Sequence, residues 1–359
     1  MKKSAWLPAV IAPVVVAGVI AAPALANAAS TPLAGANPTA ADVIASVAKS
    51  SDAQYSGKLA QTSDLGLPEL PTGSGGSSLE GNASDALSML TQSHTARVYV
   101  DGASKQRIQV TQQLAEQDLV RNGSDVWTWD SKQREATHVT LPKDTAKSLQ
   151  NGTTTPADIA KQAIDAITPS TTVSKPISTT VAGQRAWQIT LTPKSSDTLV
   201  GRVQLAVDQQ TGLPLRATVL AQGQSAPAFQ VGYTSLSYGA PASRLFDFTP
   251  PSNAKVTTKD LSGEADHAKH HDGAKGHAGD RSGAPTTTGT GWATIAELPA
   301  GSADTSSLDA DGTSLLNQVT RAVDGGRAIQ TSLVSVYLTD DGRVLAGAVP
   351  VSSLVAAAK

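Results

Sequence analysis

From Ala96 to Tyr233 the chain returns again and again to one pattern, in which apolar and polar residues alternate over a short run and a turn follows. Ala96, Val98 and Val100 alternate with Arg97 and Tyr99, and Asp101-Gly102 turns the chain before Ile108 and Val110. Asn122-Gly123 precedes Val126-Trp127-Thr128-Trp129, and a further run from Glu135 to Leu141 ends at Pro142. Trp187, Ile189 and Leu191 repeat the pattern, as do Val203, Leu205 and Val207; Thr211-Gly212 turns into Leu215, Ala217 and Val219, and Phe229, Val231 and Tyr233 close the series. A period of two punctuated by turn residues predicts antiparallel strands with one buried face. No strand–helix–strand alternation is present. The expected fold is therefore α+β and mainly β, one strongly curved antiparallel sheet with helices on one side. Trp127 and Trp129 fall on the same side of one strand, so at least one is expected to point inward.

Helical signals flank and interrupt this sheet. Thr39 reads as an N-cap with Asp42 three residues on, and Val43, Ile44 and Val47 give the helix an apolar face. A strand is expected from Gln54 to Thr62, a Pro/Gly/Ser-rich loop over Leu67–Ser78 and a short helix over Ser84–Leu90. Pro156–Ile167 reads as a second amphipathic helix. From residue 259 to 290 the chain is polar, small and His-containing, with the composition of a disordered linker. Residues 291–359 regain apolar periodicity: a strand at Trp292–Ala296, a helix through Leu308, Leu315, Leu316, Val319 and Val323, and a strand at Ile329–Leu338. A turn at Asp340-Asp341-Gly342, a strand at Val344–Val349 and a final helix over Ser352–Ala358 complete a small C-terminal α+β module. The module is expected to be separable from the larger domain, which spans residues 38–258.

Export is written at the start of the chain. Lys2 and Lys3 precede an apolar stretch from Ala5 to Ala22, and Ala24-Leu25-Ala26 offers a small-residue cleavage site, with Ala26-Asn27-Ala28 as a second register. Residues 1–26 are accordingly expected to be a signal peptide; uncleaved, they would serve as an N-terminal membrane anchor. The chain contains no cysteine, so an exported fold of this kind stands on its core without disulfides, and there is no lipid-accepting Cys. A formal net charge of -2 provides no global field to recruit nucleic acid or an anionic membrane. The expected location is outside the cytoplasmic membrane, secreted or associated with the cell envelope.

Candidate chemistry is sparse. His267, His270, His271 and His277 alternate with acidic residues at spacings that can bind zinc, copper or nickel. They lie in the low-complexity stretch, which lacks the partners that orient true ligands, so no metal is assigned. His138 sits on a strand between Thr137 and Val139. There is no G-x-S-x-G elbow, H-E-x-x-H, P-loop or G-x-G-x-x-G opening a helix. The chain reads as non-enzymatic and without a cofactor.

Three runs in order carry a resemblance: Asp125-Val126-Trp127-Thr128-Trp129-Asp130, Val207-Asp208 with Thr211-Gly212-Leu213-Pro214, and Phe246-Asp247-Phe248-Thr249-Pro250-Pro251. With the leading helix and Gly201-Arg202-Val203, they make the stretch from about Ala40 to Val256 similar to the extracytoplasmic LolA/LolB/RseB-like lipoprotein-carrier superfamily. The resemblance implies an unclosed β-barrel with helices over its open mouth and a hydrophobic cavity that holds an acyl chain. The residues it points to as cavity lining are Val98, Val110, Trp127, Trp129, Trp187, Ile189, Leu205, Phe229 and Val231; in a closed domain the same residues would be core. Two functions follow from it. One is a carrier for a lipid or lipoprotein acyl chain, held by apolar burial without any catalytic group. The other is an RseB-like regulator or structural module that binds a membrane-bound envelope protein.

Overall fold

The computed structural model describes residues 37–47, 50, 52–66, 93–112, 115–141, 165, 167–260, 285–302 and 310–359. The expected signal segment, the loop and short helix expected between residues 67 and 90, most of the expected second amphipathic helix and His267, His270, His271 and His277 lie outside the described residues. The fold is mainly β: a large curved sheet that does not close into a barrel, helices, and a smaller C-terminal sheet-and-helix module.

Chain order explains the first half of the large sheet. Strands β1 (Gln54–Ser63), β2 (His94–Asp101), β3 (Lys105–Gln112), β4 (Ala115–Asn122), β5 (Asp125–Asp130) and β6 (Glu135–Thr140) form an antiparallel meander. The second half runs from β7 (Thr171–Val173) and β8 (Ile177–Val181), both paired to β9 (Gln184–Pro193), through β10 (Val200–Asp208) and β11 (Pro214–Ala221) to β12 (Pro227–Tyr238). β12 then pairs with β1 and joins the halves. One strand escapes the alternating pattern. β13 (Lys255–Asp260) runs parallel to β6 at the far edge, and it carries Val256 as its single apolar side chain. The sheet therefore extends to Asp260, past the domain end at residue 258 that composition implies.

Curvature comes from contacts between strands that are not neighbours. Val181 and Ala182, at the end of β8, pack with Tyr233 and Leu236 of β12, and the Gln184 side chain donates to the Leu236 carbonyl at 3.5 Å. β12 lies several strands away along the sheet, so the sheet curls back on itself. Bulges at Lys58/Leu59 and Ala206/Val207 concentrate the bend.

The leading helix α1 (Ala40–Val47) forms with the expected cap: Asp42 Oδ2 accepts from the Thr39 backbone N–H at 2.8 Å and from its hydroxyl at 2.7 Å. Its Val43 packs against Ile189 and Val207. The turn between β10 and β11 fits beneath the helix because residue 212 is glycine. At φ 74° a side chain there would be strained, and a Cβ would run into the Ser46 carbonyl.

The C-terminal module holds β14 (Thr286–Thr288), β15 (Ile295–Leu298), α2 (Ala310–Val319), β16 (Arg321–Val323), β17 (Gly326–Gln330), β18 (Ser335–Thr339), β19 (Val344–Gly347) and α3 (Val351–Ala357). Its six strands are ordered β14-β15-β19-β18-β17-β16, and Ile295, Ala328, Tyr337, Leu345, Val349, Val351 and Leu354 form its own core. The sheet begins at Thr286, within the stretch whose composition reads as linker. Three expectations are corrected here. The strand expected at Trp292–Ala296 starts only at Ile295, after a short 3-10 turn at Gly291–Ala293. The helix expected to run to Val323 stops at Val319, because the Asp324-Gly325 turn pairs Arg321–Val323 with β17. The single strand expected over Ile329–Leu338 is broken into β17 and β18. The Thr331 hydroxyl accepts from the N–H groups of Leu333 and Val334 and donates to the Val334 carbonyl at 2.9 Å, folding a tight tip.

Candidate functional site

Strand register decides which side chains share a face. Leu59 lies opposite Ala96 and Tyr233, Ala96 opposite Val110, and Gly57 opposite Val98. Gln61 lies opposite Val231, Val231 opposite Ala217, Ala217 opposite Leu205, and Leu205 opposite Ile189. By these pairings and by alternation, Val98, Val110, Trp187, Ile189, Leu205, Phe229 and Val231 lie on one face, the inner one, on which α1 and the tip of the C-terminal module pack. Gly57 makes room on it: a Cβ there would stand 2.8 Å from the Tyr233 ring. Tyr233 donates to the Tyr55 hydroxyl at 3.3 Å, their rings meet edge to face, and burial pushes both phenols up.

Trp127 and Trp129 are on the opposite face. Trp127 lies across from Val120, Val120 from Arg107, and Arg107 from Tyr99, whereas the inner row at this point is Val98, Ile108, Leu119 and Thr128. The expectation of an inward tryptophan is corrected by this register. The outer tryptophan has its own partners. Trp127 stacks on His138 with ring centroids 4.3 Å apart and meets Phe248 at 5.5 Å. His138 Nε2 lies 2.8 Å from Asp125 Oδ1. The segment that crosses from β12 to β13 passes over this face: Leu245 offers its carbonyl to Arg107 Nη1 at 3.3 Å, and Phe246 is buried. The first and third sequence runs that carried the resemblance thus meet on the outside of the sheet.

The seven inner residues are divided among three neighbours. Trp187 and Ile189 pack with Val43 of α1. Phe229 and Val231 pack with Val200, Val203, Ala217 and Val219, and onto this cluster the C-terminal module places Leu333, Val334, Ala348 and Trp292. Leu205 touches both groups. Val98 packs with Tyr55, Val100 and Ile108, and half-buried Val110 continues toward Leu119, which is 38% exposed. The inner face is therefore filled at the β10–β12 end and less covered at the β3–β5 end.

Polar seams fix the module in place. The Ala348 carbonyl accepts from the Leu199 N–H and the Thr198 hydroxyl, both at 2.7 Å. The Ser332 N–H donates to the Leu65 carbonyl at 2.8 Å, and Trp292 Nε1–H donates to the Thr171 hydroxyl at 2.7 Å. These contacts, built by residues more than a hundred positions apart, have no local signature in the sequence.

Among the described residues no group of three or more His, Asp or Glu converges as a metal site, and no helix is long and apolar enough to cross a membrane. No family model matches the chain. No curated protein matches it either. Among solved structures the chain is similar to Pseudomonas aeruginosa MucB in complex with MucA, at 14% identity and a TM-score of 0.42, over 87% of this chain and 93% of that one. It is also similar to an uncharacterized conserved protein from Thermus thermophilus, at 10% identity and a TM-score of 0.35, over 61% of this chain and 98% of that one. A LolA superfamily protein from Nitrosomonas europaea matches at 11% identity and a TM-score of 0.24, over 59% and 98%. Likenesses of this size identify neither a ligand nor a partner for this chain.

Proposed function

We propose that the chain is an exported, non-enzymatic binding protein of the cell envelope whose half-barrel and docked C-terminal module together engage a membrane-bound signalling protein. The observation that carries this is the seating of Leu333, Val334, Ala348 and Trp292 on the inner face around Phe229 and Val203. A simple carrier keeps its interior free for cargo, whereas here the chain's own module takes one end and adds a second binding surface to the same body. Two linked surfaces on one partner gain from effective concentration. The test is photocrosslinking in intact cells from residues placed at Ile177 and Val256, which are 58% and 47% exposed and lie on strands far apart in the sheet order. One membrane protein captured from either position, and lost when the C-terminal module is deleted, is the expected result. Absence of any protein adduct at both positions overturns it.

A second function, retention of an acyl chain, is supported by the less covered strip at Ile108, Val110 and Leu119. Apolar burial worth about 0.8 kcal/mol per CH₂ would hold such a guest. Native mass spectrometry of the exported protein tests it: a lipid-sized adduct supports this function, and a bare polypeptide mass counts against it.

A further inference from the structure

We propose that the Thr331–Val334 tip is an internal stopper of the half-barrel, and that a long-chain acyl guest enters the Val203–Val219–Phe229 end only when the tip is withdrawn. This regulates the inner site, and it rests on the acyl-chain function above. The tip is prefolded: the Thr331 hydroxyl binds the N–H groups of Leu333 and Val334 at 3.2 and 2.9 Å, so its shape does not depend on the sheet it enters. Its two apolar side chains join Val200, Val203, Val219, Ala221, Phe229 and Val231, in the inner cluster of the larger domain. The tip thus occupies the volume in which Phe229 and Val231 would otherwise face a guest.

The contact is built to come apart. The module's core of Ile295, Ala328, Tyr337, Leu345, Val349, Val351 and Leu354 is a separate cluster, and among the described residues four of the module's apolar side chains reach the shared one. Lifting the module therefore exposes few of its own side chains and leaves its core whole. The shortest polar links that would break are the four donors to Leu65, Ala348 and Thr171, and water can take the place of each once the module has lifted. Two occupants of one apolar seat exclude each other, so the guest's apparent affinity is its intrinsic affinity reduced by the fraction of molecules with the seat open.

The chain has no cysteine, so an engineered pair can lock the tip without competing thiols. A Cβ built on Gly66 stands 3.4 Å from the Ser332 hydroxyl, close enough for a disulfide between Gly66→Cys and Ser332→Cys. The probe is dansyl-labelled undecanoic acid, titrated into the full-length double variant before and after reduction. Oxidised and reduced forms share one polypeptide, so any strain from a side chain at Gly66 affects both. The expected result is probe binding about tenfold weaker when oxidised, with only the open strip at Ile108, Val110 and Leu119 left to the probe, and recovery on reduction. A Leu333→Ser chain, checked for an unchanged melting profile of the sheet, should bind about tenfold more tightly than the parent. Equal binding by the locked, reduced and Leu333→Ser forms overturns the stopper while leaving acyl binding standing. Absence of probe binding to all of them, the parent included, overturns both.

Discussion

Arg107 donates to Asp118 at 2.6 Å between β3 and β4, and burial pushes the Asp118 carboxyl up even though the guanidinium pulls it the other way. A folded value above the unfolded one means that stability from this group is fully present below the unfolded value and is lost as the pH rises through the folded value. Keeping the carboxylate charged is thus a cost, which Arg107 offsets. Arg107→Ala should lower stability by about 3–5 kcal/mol, because it strands a buried charge. Asp118→Asn, which leaves an oxygen to accept from Arg107, should cost much less, and adding it to Arg107→Ala should restore part of the loss. Urea unfolding of the three variants checks this, and equal losses for both single variants would contradict it. Tyr55, Tyr233 and Tyr238 act in the alkaline range. Burial raises all three phenols, so their contribution to stability holds below about pH 10 and is lost as the pH climbs toward the folded values. The phenolate absorbance of these three should then appear together with unfolding, and its appearance with intact circular dichroism would refute the assignment.

Trp127 separates two accounts of the β5 strand. On the outer face it braces His138 and Phe248, and through them the crossing that brings β13 to the sheet edge. Because it is half-buried, Trp127→Ala should cost about 3 kcal/mol, the low end for aromatic truncation. Affinity for an acyl probe should be unchanged, whereas Val110→Asp on the inner face should abolish it at little cost in folding. A Trp127→Ala chain that keeps its stability but loses the probe would return the tryptophan to the interior. The element order of the meander was legible because alternation and turns are local signals. The face of Trp127 was not, since it depends on pairing across β2 to β5, and a shift of one residue exchanges the faces. β13 has no local signature for a related reason: Val256 alone offers no periodicity, and parallel pairing to β6 is a long-range event. The break at Thr331–Val334 depends on a threonine hydroxyl that binds its own backbone, within a run apolar enough to read as continuous strand.

At the scale of the molecule, the tether between Asp260 and Thr286 keeps the module close to the half-barrel, whatever the strength of the seam. The seam joins the two bodies where Leu333, Val334, Ala348 and Trp292 of the module enter a cluster of the larger domain, with a few hydrogen bonds beside them, while each body keeps a core of its own. Such a contact persists because the tether holds the partners at high effective concentration. Trypsin should cut first at Lys269, Lys275 or Arg281, where the sequence lacks large apolar residues to bury. The larger fragment must retain Asp260, because β13 closes the edge against β6, and trimming back to Lys259 would shorten that strand. After cutting, the two pieces should elute together from a sizing column at high concentration and apart on dilution. β-type circular dichroism should be kept throughout, and probe binding should rise as they separate. Fragments that never part on dilution would mean that the seam is permanent core, and that the module is a structural wall of the half-barrel.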